Sequence, residues 1–146
     1  MKAKNTECGD RSHCPVNALV ELIGDQWSLL ILRDMLLQLK VRYSEFEDSD
    51  EGVATNILSR RLSQLIENGL IEKHRDPKDG RAAIYLPTPQ ALGLIPLLLT
   101  AMDWSQTHRP ATTRSDQIMD IYQADPLAAA QRLTQRALKF RQEVLS

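Results

Sequence analysis

Most apolar residues along this chain recur at intervals of three and four, and one short stretch alternates instead. In GVATNILSRRLSQLIENGL, Gly52 to Leu70, the residues Leu58, Leu62, Leu65 and Ile66 fall on one side of a helix. The other side holds Asn56, Ser59, Arg60, Ser63 and Gln64, with Arg61 at the flank of the apolar stripe. The spacing predicts a helix over about Thr55–Asn68, stopped by Gly69. Upstream, PVNALVELIG predicts a helix with Cys14 as its cap, Pro15 at its first position and Gly24 as its stop; Val16, Leu19, Val20 and Ile23 form its face. WSLLILRDMLLQL is apolar nearly all round and predicts the central buried helix. A one-bridge strand at Val41-Arg42 and a short helix anchored by Tyr43 and Phe46 come next; the five acids of residues 45–51 read as a solvated turn.

LIEKHRDPKDGRAAIYL is the alternating stretch. It predicts a β-hairpin with strands at about 71–75 and 82–86 and a tip, DPKDGR, dense in turn formers. Thr88-Pro89 restarts a helix that runs to about Thr107 and is kinked at Pro96. That helix has two apolar faces: Leu92, Ile95, Leu99 and Met102 on one, Leu94, Leu98, Ala101 and Trp104 on the other. The first serves the chain's own core, and a sister subunit is the simplest cover for the second. After a linker at 109–115 come a short helix at about 115–124, a break at Asp125-Pro126, and a last helix at 126–145. Ala130, Leu133, Ala137, Phe140 and Val144 give this last helix a seam suited to packing on another helix. The fold class expected is mainly α with a small β-hairpin: a polar arm (1–12), a winged helix-turn-helix domain for DNA binding and dimerisation (13–110), and a C-terminal helical extension (111–146).

Composition narrows the partners. At 146 residues with 42% hydrophobic and 25% charged content, a single soluble domain is expected. A net charge of −1 supplies no bulk positive field, so nucleic-acid binding requires a local patch. Residues 54–81 carry one: six Lys or Arg against four Asp or Glu, plus His74. No apolar leader or membrane span is present in the sequence, which makes the expected setting cytoplasmic and both cysteines, Cys8 and Cys14, reduced. CGDRSHC matches no standard zinc spacing, and neither metal nor cofactor is expected.

A short helix, a turn, a second helix and a hairpin behind them make a winged helix-turn-helix, in which the second helix enters the major groove. Asn reads adenine and Arg guanine in bidentate fashion, while Ser and Thr suit phosphates or either base. The candidate DNA contacts are therefore Thr55, Asn56, Ser59, Arg60, Arg61, Ser63 and Gln64 on the helix. Lys78 and Arg81 at the wing tip join them, supported by Lys73 and Arg75. At Arg61, phosphate contact and a structural ion pair stand side by side. Arg33, inside an apolar helix, reads as carboxylate-paired, and Tyr43, Phe46, Trp27 and Trp104 read as core or interface.

The segments CPVNALVELIGDQWSLLILRDML, RYSEF, GVATNILSRRLSQLIENGLI, IYLPT and LIPLLLTAMDW together resemble the HxlR family of bacterial winged-helix transcription regulators, over about residues 12–108. Pro87, Ala91 and Gln26 depart from the usual Leu, Gly and Lys of that family, and DPKDGR looks more like the wing of MarR-type regulators. The resemblance implies a homodimer presenting two recognition helices to a pseudo-palindromic operator in double-stranded DNA, under a small-molecule or oxidant signal. Some HxlR-like regulators sense oxidants through a cysteine at the place of Cys14. That thiol sits at a helix N-terminus near Arg11 and His13, which favours a reactive thiolate; a small packing residue is the other reading. Two further function classes compete with DNA binding. A protein-binding winged helix predicts an apolar recognition face, which Asn56, Arg60 and Gln64 oppose. A thiol enzyme using Cys14 or Cys8 requires a base, an oxyanion site and a cleft, of which only His13 is in view.

Overall fold

The computed structural model describes residues 11–109, 112 and 117–146. At its centre is α2 (Ser28–Leu37), whose Ile31, Leu32, Met35 and Leu36 are all buried. Asp25 starts this helix: its Oδ1 accepts from the N–H groups of Trp27 and Ser28 at 2.8 and 2.9 Å, and its other oxygen takes the Ser28 hydroxyl. Donors that a helix start leaves without partners are thereby satisfied. α1 (Pro15–Ile23) precedes it with Cys14 and Gly24 at its two ends, as the sequence predicts. The α1 face is not fully covered, however: Ile23 is buried, while Val16 and Val20 are 68% and 50% exposed.

Leu39, at φ +56°, turns the chain out of α2. Arg42 then bridges Ile84, and α3 (Tyr43–Glu47) puts Phe46 into the core. Glu45 accepts from the N–H groups of Val41 and Arg42 at 2.8 and 2.7 Å. Glu51 pairs with Arg33, and Glu47 accepts from the Thr55 hydroxyl. The acidic run is thus partly structural and not simply a solvated turn, because three of its carboxylates hold donors brought to them by the fold.

α4 (Thr55–Glu67) buries Leu58, Leu62 and Leu65 and ends at Asn68, with Gly69 at φ +73°, where a side chain carries a steric penalty. The hairpin is antiparallel, β1 (Ile71–Arg75) with β2 (Ala83–Pro87), registered so that Glu72 faces Leu86 and Lys73 faces Tyr85. The second strand lies one residue later than expected because Ala82 closes the tip, donating to Asp79 O and accepting from Asp76 N–H, each at 2.9 Å. Thr88 caps the next helix, its hydroxyl accepting from Ala91 N–H at 3.3 Å and donating to Gly69 O at 2.7 Å.

The expected single kinked helix over 89–107 is two helices, α5 (Pro89–Leu92) and α6 (Ile95–His108). Pro96 has no N–H to donate to Leu92 and its ring crowds that carbonyl, so the helix breaks at Gly93-Leu94 and restarts with Pro96 in its first turn. The predicted linker lies largely outside the described residues. Beyond it come α7 (Gln117–Ala124) and α8 (Pro126–Leu145), the latter capped by Asp125 through Ala128 N–H at 3.1 Å. The α8 seam packs on the chain's own core: Ala130, Leu133 and Ala137 are buried with α2 and α6 residues. Phe140 and Val144 cover a second cluster of Val41, Ile84 and Leu86.

Candidate nucleic-acid interface

α4 separates two chemistries. Its buried stripe fixes the helix on α2 and α3, and the opposite side leaves Thr55, Asn56, Ser59, Arg60, Ser63 and Gln64 exposed together, as the sequence predicts. The helix begins at Ala54, which provides no side-chain cap, so its first N–H groups have no capping side chain. Tyr43 of α3 holds this end in place: its hydroxyl lies 2.9 Å from Thr55 O, to which it donates, and 2.8 Å from Ser59 Oγ. The sequence marks Tyr43 only as packing; its polar end is a tether on the candidate reading helix.

Arg61, at the border of that face and only partly exposed, turns toward the start of α2. Its Nε lies 3.2 Å from Asp25 Oδ1 and its NH1 donates to Gln64 Oε1 at 2.8 Å. Of its two readings, the structure carries the ion pair, linking α4 to the start of α2. Burial pushes the Asp25 carboxyl up, but the Ser28 hydroxyl, the two amides and the Arg61 charge together hold it below the ordinary range.

Behind α4, Arg33 donates to Asp34 at 2.9 and 2.6 Å and to Glu51 at 2.6 and 3.0 Å, while Lys40 reaches the second Asp34 oxygen at 2.9 Å. The paired role expected for Arg33 is met. The Arg33 guanidinium brings the Glu51 carboxyl down to about 2, and Glu51 in turn raises Arg33. This network anchors the turn between α3 and α4.

The wing carries Lys73, Arg75, Lys78 and Arg81, all exposed. Its tip is built on Asp76, whose buried carboxylate accepts from Lys78 N–H at 2.8 Å and pairs with Arg42. These contacts, the amide first, outweigh burial and hold Asp76 below the ordinary range. Alternation along β1 puts Lys73 and Arg75 on one face and Glu72 and His74 on the other. Lys73 Nζ sits 5.9 Å from the centre of the Tyr85 ring. Glu72 is engaged by His74 at 2.9 Å and by Arg141 at 2.6 Å, so two acids of the basic segment are neutralised by arginines from outside it, Arg42 and Arg141. Nothing local in the sequence marks those pairs, whose partners lie far apart along the chain.

Cys14 is exposed, and its N–H lies 3.3 Å from Ser12 Oγ. Arg11, expected near the thiol, is engaged by Glu21 at 3.0 Å and Asn17 at 3.0 Å. Cys8 lies outside the described residues. Among the described residues no group of His, Cys, Asp or Glu is arranged to hold a metal, and no helix is long and apolar enough to cross a membrane.

A short helix, a turn over residues 48–54 and a second helix with a polar outer face, backed by a basic two-stranded wing, define a winged helix-turn-helix protein. Within that class the chain belongs to the HxlR family of transcription regulators: the model of the HxlR-like helix-turn-helix matches residues 22–113. It is 29% identical over 108 residues to an uncharacterised HTH-type transcriptional regulator of Synechocystis, a match covering 70% of this chain and 79% of the relative. Among solved structures it is similar to PA1607, a candidate transcription factor, with 34% identity and a TM-score of 0.64 over 73% of this chain and 72% of that one. The oxidised redox regulator HypR, at 23% identity and a TM-score of 0.58, covers 66% of this chain and 98% of its own and shares the fold.

Proposed function

We propose that the protein regulates transcription by binding a pseudo-palindromic operator in double-stranded DNA as a homodimer. The observation that carries this reading is the outer face of α4, where Asn56, Ser59, Arg60, Ser63 and Gln64 stand exposed in one row above a fully buried leucine stripe. Such a row offers both bidentate base readers and phosphate ligands. The first amides of α4 suit a phosphate as well, because no side chain caps them. Arg61 is left with positioning, while Lys73, Arg75, Lys78 and Arg81 supply the wing's charge. A protein-binding winged helix would expose an apolar recognition face here, and the outer face of α4 is polar.

Two apolar surfaces support a second copy: Val16 and Val20 on α1, and Ala101 with Trp104 on α6, where Trp104 is 55% exposed. We assign the signal to an oxidant acting at Cys14, which stands exposed at the start of α1 and is not packed. A small effector has a place too, a cavity of about 730 Å³ between α2 and α6 with Arg33 and Glu51 in its wall. Mapping the protein's binding sites across the genome of its host, with and without diamide, tests operator and signal together. Enrichment of one inverted repeat, altered by diamide in wild type and unaltered in Cys14→Ser, is the expected result. No enriched repeat would end the DNA reading; equal responses of wild type and Cys14→Ser would move the signal elsewhere.

A further inference from the structure

The wing is anchored from an unexpected place. Arg141, near the end of α8, divides its guanidinium between the two strands of the hairpin. NH1 donates to Pro87 O at 3.0 Å, and NH2 to Glu72 Oε2 at 2.6 Å. Ile71 pairs with Pro87 and Glu72 with Leu86, so the arginine spans both strands at the base of the wing. Beside it, Phe140 and Val144 lie on Ile84, Leu86 and Val41. His74, one turn of the pleat further out, adds a bond to the same Glu72 carboxylate. One face of the hairpin is therefore occupied by α8, and the other carries Lys73 and Arg75.

The rest of α8 reaches elsewhere. Asp125 caps its start, Leu133 and Ala137 pack with α2 and α6 residues, and Arg136 donates to Leu37 O at the end of α2. Twenty helical residues span about 30 Å as one rigid rod. The rod is fastened to the core along its length and to the wing at its far end. A two-stranded hairpin is at best marginally stable alone and depends on what it packs against. The direction in which Lys78 and Arg81 project is set by its base.

We propose that α8 is a strut that fixes the pose of the wing on DNA, and that Arg141 is its positioning residue. The inference rests on the DNA-binding reading for its consequence, though not for its geometry. Arg141 acts through Glu72 and the strand backbone and need not touch a phosphate. The guanidinium serves the carbonyl and the carboxylate from two separate nitrogens of one rigid plane, a spread that the single nitrogen of an ammonium lacks, so lysine is a poor substitute. Glu72 carries the matching mark: its carboxyl is held below the ordinary range by Arg141 first and His74 second.

The test uses the full chain with Arg141→Met, which keeps the apolar stem, and Arg141→Lys, which keeps the charge. Glu72→Gln, at a half-exposed site, guards against misfolding of the arginine variants. Two measurements apply: hydrogen exchange of the free protein, and binding to mixed-sequence duplex DNA across a salt series. In all three variants exchange of the hairpin amides 71–75 and 83–86 should quicken about tenfold more than that of α4. Binding to the duplex should weaken several-fold with a smaller salt slope, since wing cations leave the phosphates. A merely structural arginine would speed exchange in α4 and the hairpin alike and leave the salt slope intact; that result overturns the proposal. Wild type that binds no duplex overturns the DNA reading, while the exchange pattern still decides whether Arg141 holds the wing.

Discussion

Glu51→Gln should weaken the fold at neutral pH and leave it nearly unchanged in acid. The carboxyl of Glu51 stands at about 2 in the folded chain against an ordinary 4.5, through its two bonds from Arg33. At about 1.4 kcal/mol per pKa unit the drop corresponds to an upper bound of about 3 kcal/mol. The Glu51 side chain is 34% exposed, so solvent screening reduces the expected contribution to about 1 kcal/mol. A depressed folded value means that the contribution is complete above about pH 5 and is lost as pH falls through 4.5 toward 2. Urea unfolding of wild type and Glu51→Gln should therefore differ by about 1 kcal/mol at pH 7, a gap of a few degrees in Tm for a chain of this size. The gap should close between pH 4.5 and pH 2.5. Arg33 stays charged throughout, and its remaining bonds to Asp34 are common to both proteins. A gap of the same size at pH 2.5 and pH 7, or none at pH 7, would refute the view that this ion pair anchors the turn before α4.

The proposed interface carries three further expected outcomes. Arg60→Ala and Asn56→Ala should each weaken operator binding by about 1–3 kcal/mol, with a much smaller effect on random duplex; equal losses in gel-shift titrations would make them phosphate contacts. Replacing Lys78 and Arg81 by Gln should reduce the salt slope of binding by about 2 per subunit, and an unchanged slope would mean that the wing tip does not touch DNA. Tyr43→Phe removes the hydroxyl that meets Thr55 O and Ser59 and should cost about 1 kcal/mol of operator affinity with little change in the salt slope; full affinity would show that α4 needs no tether.

What the sequence discloses depends on how far apart the partners stand. The burial of Leu58, Leu62 and Leu65 and the exposure of Asn56, Arg60 and Gln64 are legible because helical period alone assigns faces. The hairpin is legible because Asp76, Asp79 and Gly80 crowd a turn between alternating strands, and Thr88-Pro89 marks a helix start. The break at Gly93-Leu94 reads only as a kink in the sequence, since Pro96 close to a glycine leaves the choice to packing. Arg61 stays open between two roles in the sequence because Asp25, its partner, belongs to a different part of the chain. The Arg42–Asp76 and Arg141–Glu72 pairs join elements 34 and 69 residues apart and leave no local pattern. Placing the tail on the chain's own core likewise requires the shape of the groove between α2 and α6.

Trp104 gives the molecule an optical property. Its indole is mostly in water, on the α6 face free of the chain's own core, with the His108 ring 5.0 Å away, while Trp27 is packed against the core. An indole that leaves water emits at shorter wavelength. Dilution of the unlabelled protein should therefore shift the Trp104 emission to the red wherever copies separate at that face. The chain carries its own reporter for testing the proposed homodimer, and Trp104→Phe supplies the blank against which Trp27 alone is seen.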